Sequence, residues 1–94
     1  MNNREEIKSF LVVFEDENEN EYQSSLINKE SSLYLLKESI ELKYNKSIID
    51  VYYFDLEAEK CFIDEDNYFL MLEEKESNLL VPYSSLHVIT RNIN

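Results

Sequence analysis

Residues Leu33 to Phe54 read LYLLKESIELKYNKSIIDVYYF, and the hydrophobic period changes inside them. Leu33, Leu36, Ile40 and Tyr44 recur at spacings of three and four, which lines them along one stripe of a helix. Lys37, Glu38, Glu41 and Lys43 fall off the stripe, as a half-exposed helix requires. Ser31 or Ser32 can cap its first turn, because a hydroxyl there accepts from amide groups that have no partner inside the helix. Asn45 supplies a C-terminal stop. From Ile48 to Phe54 the residues are mostly β-branched or aromatic, which predicts a strand. Alternation places Ile49, Val51 and Tyr53 on one face, with Asp50, Tyr52 and Phe54 on the other.

Working outward, Ile7 to Glu15 (IKSFLVVFE) reads as a buried strand and Tyr22 to Ile27 as its hairpin return. The polar residues Asp16 to Asn20 form the turn, where Asn can adopt the left-handed geometry that glycine usually supplies. Beyond Phe54, Glu59 to Ile63 reads as a short strand with Cys61 and Ile63 facing the same way. Asp66 to Glu74 reads as a short helix containing Phe69, Leu70 and Leu72, its acidic start favoured by the helix dipole. Leu79 to Val81 is expected as a brief edge strand ended by Pro82. Ser84 to Arg91 closes the chain as a strand with Leu86 and Val88 turned inward. Residues 1–6 are expected to be disordered, 7–91 to form a single domain and 92–94 a tail.

The order strand, strand, helix, strand, strand, short helix, strand is that of an α+β domain of ubiquitin-like β-grasp type. It implies a mixed sheet of four to five strands packed against one main helix, with a short second helix. Ser84-Ser85-Leu86-His87-Val88 resembles the final strand of ubiquitin. The chain ends Arg91-Asn92-Ile93-Asn94 without a di-glycine, so conjugation in the manner of ubiquitin is not expected.

Composition narrows the function classes. The 94 residues carry 20 acidic and 9 basic side chains, one His, one Cys, one Pro and no Gly, for a net charge of −11. A chain without glycine cannot build the Gly-rich loops that wrap phosphate groups. One Cys and one His exclude the usual Cys/His zinc sites and an internal disulfide. Neither a membrane-length apolar run nor a secretory leader is seen, which leads to the expectation of a soluble cytoplasmic protein. Charge is uneven. From Ser47 onward there are 3 basic and 10 acidic residues, and all ten acids lie between Asp50 and Glu76. Such a field repels nucleic acid and anionic membranes and speeds encounter with cationic partners.

Tyr53 to Leu72 reads YFDLEAEKCFIDEDNYFLML and resembles the acidic OPCA motif of the Phox-and-Bem heterodimerisation domain. Tyr53 stands at the aromatic position, Asp55, Glu57 and Glu59 at the alternating acids, and Cys61 and Ile63 at the apolar strand positions. Asp66 matches the acid that opens the helix, with Asp64 and Glu65 adding charge beside it, while Phe69 and Leu72 match its apolar positions. Two departures stand out: Ala58 replaces the usual glycine of the turn, and Tyr68 replaces the second acid of the later pair. The first strand is FLVVF at its centre and Lys8 lies only near its start, so the resemblance implies the acidic type of this domain. It implies a non-enzymatic protein–protein interaction module for scaffolding or signalling assembly, in which Asp55, Glu57, Glu59, Asp64 and Asp66 engage a basic patch on a partner domain. Head-to-tail self-assembly is not implied.

Other readings of the same residues are weaker on chemical grounds. A calcium loop would need Gly where Lys60 stands and Glu where Asp66 stands, between two helices. Carboxylate acid–base chemistry needs a pocket that drives two pKa values apart, which a small exposed turn does not offer. Cys61 is expected as a buried small hydrophobe and His87 as a solvent-facing strand residue, with Tyr52 or Tyr68 available to an interface. No catalytic residue, metal, cofactor, nucleic acid, membrane or small-molecule substrate is therefore expected. Two alternatives stay open: another ubiquitin-like adaptor binding through an apolar sheet face, with Tyr52 or Ile89 exposed, and an acidic inhibitor that mimics nucleic acid.

Overall fold

The computed structural model describes residues 7–77 and 83–92. Strands β1 (Ser9–Glu15) and β2 (Glu21–Asn28) form a hairpin, followed by helix α1 (Leu33–Tyr44). Strands β3 (Lys46–Phe54) and β4 (Lys60–Phe62), helix α2 (Tyr68–Ser77) and strand β5 (Tyr83–Asn92) complete the chain. The five strands form one mixed sheet in the order β2-β1-β5-β3-β4. Among the described residues only the central β1–β5 pair is parallel, and the other pairs are antiparallel. This is the expected α+β, β-grasp-like arrangement, with α1 as the main helix. The edge strand expected at Leu79–Val81 and the disordered start expected at Met1–Glu6 lie outside the described residues.

The helix forms where the apolar period requires it. Ser32 is extended and its hydroxyl accepts from the Leu35 amide at 3.2 Å, which fixes the N-terminus of α1. At the other end Asn45 takes left-handed backbone angles, φ 53° and ψ 47°, and stops it. Between these caps Leu33, Leu36 and Ile40 are buried and Tyr44 packs half-buried beside them. They cover one face of the sheet, against Phe10, Val12 and Phe14 of β1, Ile27 of β2, Val51 and Tyr53 of β3, and Leu86 and Val88 of β5. Helix α2 adds Tyr68, Met71 and Leu72 to the same core. No helix among the described residues is long and apolar enough to cross a membrane.

The structure revises the reading of β3 and of α2. Pairing of β3 with β5 shifts register between Ile48 and Asp50, so Ile49 is bulged outward and Ile48 packs on the core instead. Phe69 and Leu70 of α2 are exposed, because the helix starts at Tyr68 and its inward stripe is Tyr68, Met71 and Leu72. Tyr68 is fully buried and donates its hydroxyl to the Glu30 carbonyl at 2.8 Å, which removes it from any surface role. Its own hydroxyl pKa is pushed up to about 12 by that burial.

Capping and core packing should separate cleanly in urea unfolding. Ser32→Ala is expected to cost about 1 kcal/mol through the lost cap. Leu36→Ala should cost roughly 2–5 kcal/mol through the lost apolar contacts and the cavity left behind.

Candidate functional site

The acidic segment folds around β4, an edge strand of the sheet. On its N-terminal side, Asp55 builds the turn from β3. Its Oδ1 accepts from the amides of Glu57 and Glu59, both at 2.9 Å, while its own amide donates to the Glu59 carbonyl at 3.0 Å. The Ala58 amide closes the loop on the Asp55 carbonyl, with Ala58 at φ 62°. Glycine is thus absent from a left-handed position that disfavours any Cβ. The hairpin turn between β1 and β2 repeats the device. Asp16 Oδ1 accepts from Asn18 and Asn20 amides at 2.8 and 3.0 Å, and Glu19 takes φ 61°. The left-handed residue there is Glu19, and not an Asn as the sequence suggested.

Both clamping carboxyls are held below the usual aspartate range. The main cause is the backbone donor four residues on, Glu59 for Asp55 and Asn20 for Asp16. At Asp55, the Cys61 thiol, 3.6 Å from Oδ2, and the Lys75 charge lower the pKa further. Desolvation, with the Asp55 charge second, raises the Cys61 pKa; a raised pKa disfavours the nucleophilic thiolate. Helix α2 secures the turn from below: Lys75 Nζ donates to the Phe54 carbonyl at 2.7 Å and lies over the Tyr53 ring. The Tyr53 hydroxyl donates to Glu74 at 3.3 Å, and burial is the first cause raising its pKa to about 12.

The second acidic group lies at the other end of β4. Asp64 and Asn67 exchange side-chain-to-amide bonds at 2.9 and 3.0 Å, a reciprocal cap on the first turn of α2. Glu65 reaches across to accept from the Tyr34 amide in the first turn of α1, joining the two helix N-termini. Asp55, Glu57 and Glu59 thus precede β4 and Asp64 and Asp66 follow it, in two groups. Within them, Asp55 and Asp64 spend carboxylate oxygens on backbone amides, and Glu57, Glu59, Asp64 and Asp66 are exposed. Leu56, 66% exposed, stands between the first two acids.

A second assembly, on the sheet face that neither α1 nor α2 covers, was not legible in the sequence. The strand registers align Val13, His87, Tyr52 and Phe62 in one row across β1, β5, β3 and β4. The His87 ring stacks on Tyr52 with centroids 4.7 Å apart and planes 11° from parallel. Glu15, only 1% exposed, accepts from the Tyr52 hydroxyl at 2.6 and 2.8 Å and lies 2.6 Å from His87 Nδ1. Contrary to expectation, His87 is not an open solvent-facing side chain, because Tyr52 and Glu15 hold it. Burial, reinforced by Glu15, raises the Tyr52 hydroxyl pKa well above its usual value. Tyr52 and Ile89 are both buried, which corrects the expectation that they would be exposed on this face. Phe54 and Phe62 remain exposed beside them, and Lys60 lies over the Tyr52 ring while pairing with Glu19. The one local signal is that Glu15 continues the alternation of Leu11 and Val13 on β1 and so shares their face. No protein-family model and no curated protein matches this chain.

Two outcomes follow from the turns. Ala58→Gly should raise stability by about 0.5–1 kcal/mol in urea unfolding, since relief at φ 62° exceeds the added entropy of the unfolded chain. A carboxyl with a lowered folded pKa contributes stability that is fully present above its unfolded value, about 3.9. That contribution disappears as pH falls through the folded value. Melting temperature should therefore fall as pH drops below about 4, and the Asp16→Asn/Asp55→Asn pair should make that fall shallower.

Proposed function

We propose that the chain is a non-enzymatic protein-interaction module of acidic Phox-and-Bem type that binds a basic patch on a partner domain. The observation that carries the reading is the set of exposed carboxylates flanking β4, with Glu57 and Glu59 in the turn before the strand and Asp66 in the segment after it. Asp55 and Asp64 hold the turns that present them, and would add their remaining charge. Carboxylates fixed at a domain edge suit charge-assisted hydrogen bonds with Lys and Arg at matching spacing. Pairs at such a rim set orientation, association rate and salt dependence more than raw affinity. The −11 net charge extends the same preference to long range and opposes association of like copies. Heterodimeric scaffolding or signalling assembly in the cytoplasm is the setting this chemistry fits.

A second reading rests on the open sheet face, where Phe54 and Phe62 are exposed next to Lys60 and His87. An adaptor of ubiquitin-like type would use that apolar surface in place of the carboxylates.

Calorimetric titration with a basic-type Phox-and-Bem domain distinguishes the two. Glu57→Ala/Glu59→Ala/Asp66→Ala spares the clamping aspartates, so the variant should fold, and binding should weaken by about tenfold or more. Raising the salt should weaken the wild-type complex in the same direction. Binding that survives this variant but is lost in Phe54→Ser/Phe62→Ser favours the apolar face, and no binding to several basic domains refutes the acidic module.

A further inference from the structure

Glu15, Glu21 and His87 come together on the open sheet face, away from the acidic edge at β4. They belong to three consecutive strands of the sheet, β1, β2 and β5, and one donor atom from each lies within 4.8 Å of the other two. Glu15 and Glu21 are direct cross-strand partners. Like charges at directly opposed positions of an antiparallel pair repel, and here one of the two is buried. The group in contact with Glu15 that can carry positive charge is the His87 imidazole, at 2.6 Å. We propose that these three side chains form a binding site for a divalent transition-metal ion of the zinc class.

The donor set is chemically specific. One imidazole nitrogen with two carboxylate oxygens suits zinc and its neighbours, whereas calcium and magnesium take oxygen ligands alone. An ion of charge +2 also offsets the repulsion between Glu15 and Glu21, which a shared proton does only in part. Two of the three ligands are already positioned by outer contacts. The Tyr52 hydroxyl donates to both Glu15 oxygens and orients the carboxylate, and the Tyr52 ring stacks on His87 and sets its plane. The third, Glu21, is exposed on an edge strand and free to close over the ion. Tetrahedral bonds of about 2.0–2.1 Å place neighbouring donors roughly 3.3 Å apart, so Glu15 and His87 must separate by less than about 1 Å. The ion takes the place of the proton between His87 Nδ1 and Glu15, and a fourth position remains for water. Lys60, the ammonium over the Tyr52 ring, is tied to Glu19 and does not fill the site.

The test uses the whole chain with zinc chloride, and magnesium chloride as control. His87 is the sole histidine, so its imidazole proton resonances report on the site without ambiguity. Zinc is expected to bind with 1:1 stoichiometry by calorimetry, to shift the His87 resonances and to raise the melting temperature, while magnesium does none of these. Glu21→Gln alters an exposed side chain and should fold normally, yet weaken zinc binding by roughly tenfold or more. His87→Gln should abolish the 1:1 event. No saturable binding at about 100 μM zinc overturns the proposal. So does binding of unchanged affinity in Glu21→Gln, because the ion would then sit on other carboxylates.

Discussion

The parallel pairing of β1 with β5 is the contact on which the rest of the sheet depends. It joins residues near the two ends of the chain, from Ser9 with Tyr83 to Glu15 with Ile89. Closing so long a loop costs chain entropy before any contact is gained. That cost is offset by Phe10, Val12 and Phe14 meeting Leu86 and Val88 in a core from which water is excluded. β2 can then add to one side of the pair and β3 to the other, and α1 has a continuous apolar surface to cover. On the opposite face the same two strands are joined by the contact of Glu15 with His87, which ties the pair through polar groups as well.

A chain without glycine must make its tight turns by other means. The two five-residue hairpin turns described, residues 16–20 and 55–59, use one solution, an aspartate at the first position whose carboxylate holds the amides two and four residues later. The fourth position is then driven into left-handed geometry with whatever residue stands there, Glu19 in one turn and Ala58 in the other. Hydrogen bonds to an ionised carboxylate are strong enough to hold a backbone that a Cβ disfavours. The clamp also divides labour among the acids. Aspartates are short enough to reach their own backbone, whereas the glutamates between them project outward.

Much of the architecture could be read from local pattern. The Leu33, Leu36, Ile40 stripe, the Ser32 cap and the Asn45 stop appear where spacing put them, and every described strand was anticipated to within a few residues. Errors arose where a pattern was continued through an irregularity. Strict alternation turned Ile49 inward, but a bulge at that residue reverses the faces upstream of Asp50. In α2 the helix starts at Tyr68 and not at Asp66, and Tyr68, read as available to an interface, turns inward with Met71 and Leu72. Of the acidic residues, identity and spacing located the cluster in the chain, yet did not tell that Asp55 and Asp64 would hold backbone amides.

Composition and periodicity by themselves determined an acidic α+β domain with one amphipathic helix and with its negative charge gathered between Asp50 and Glu76. Those properties belong to residues near one another in the chain, and local sterics, capping and burial fix them. Only the tertiary structure decided that Glu15 would meet Tyr52 and His87, because those residues lie 37 and 72 positions away. Their meeting follows from the order of strands in the sheet and the registers between them. Register is set by the packing of the whole core, and no single segment carries that information.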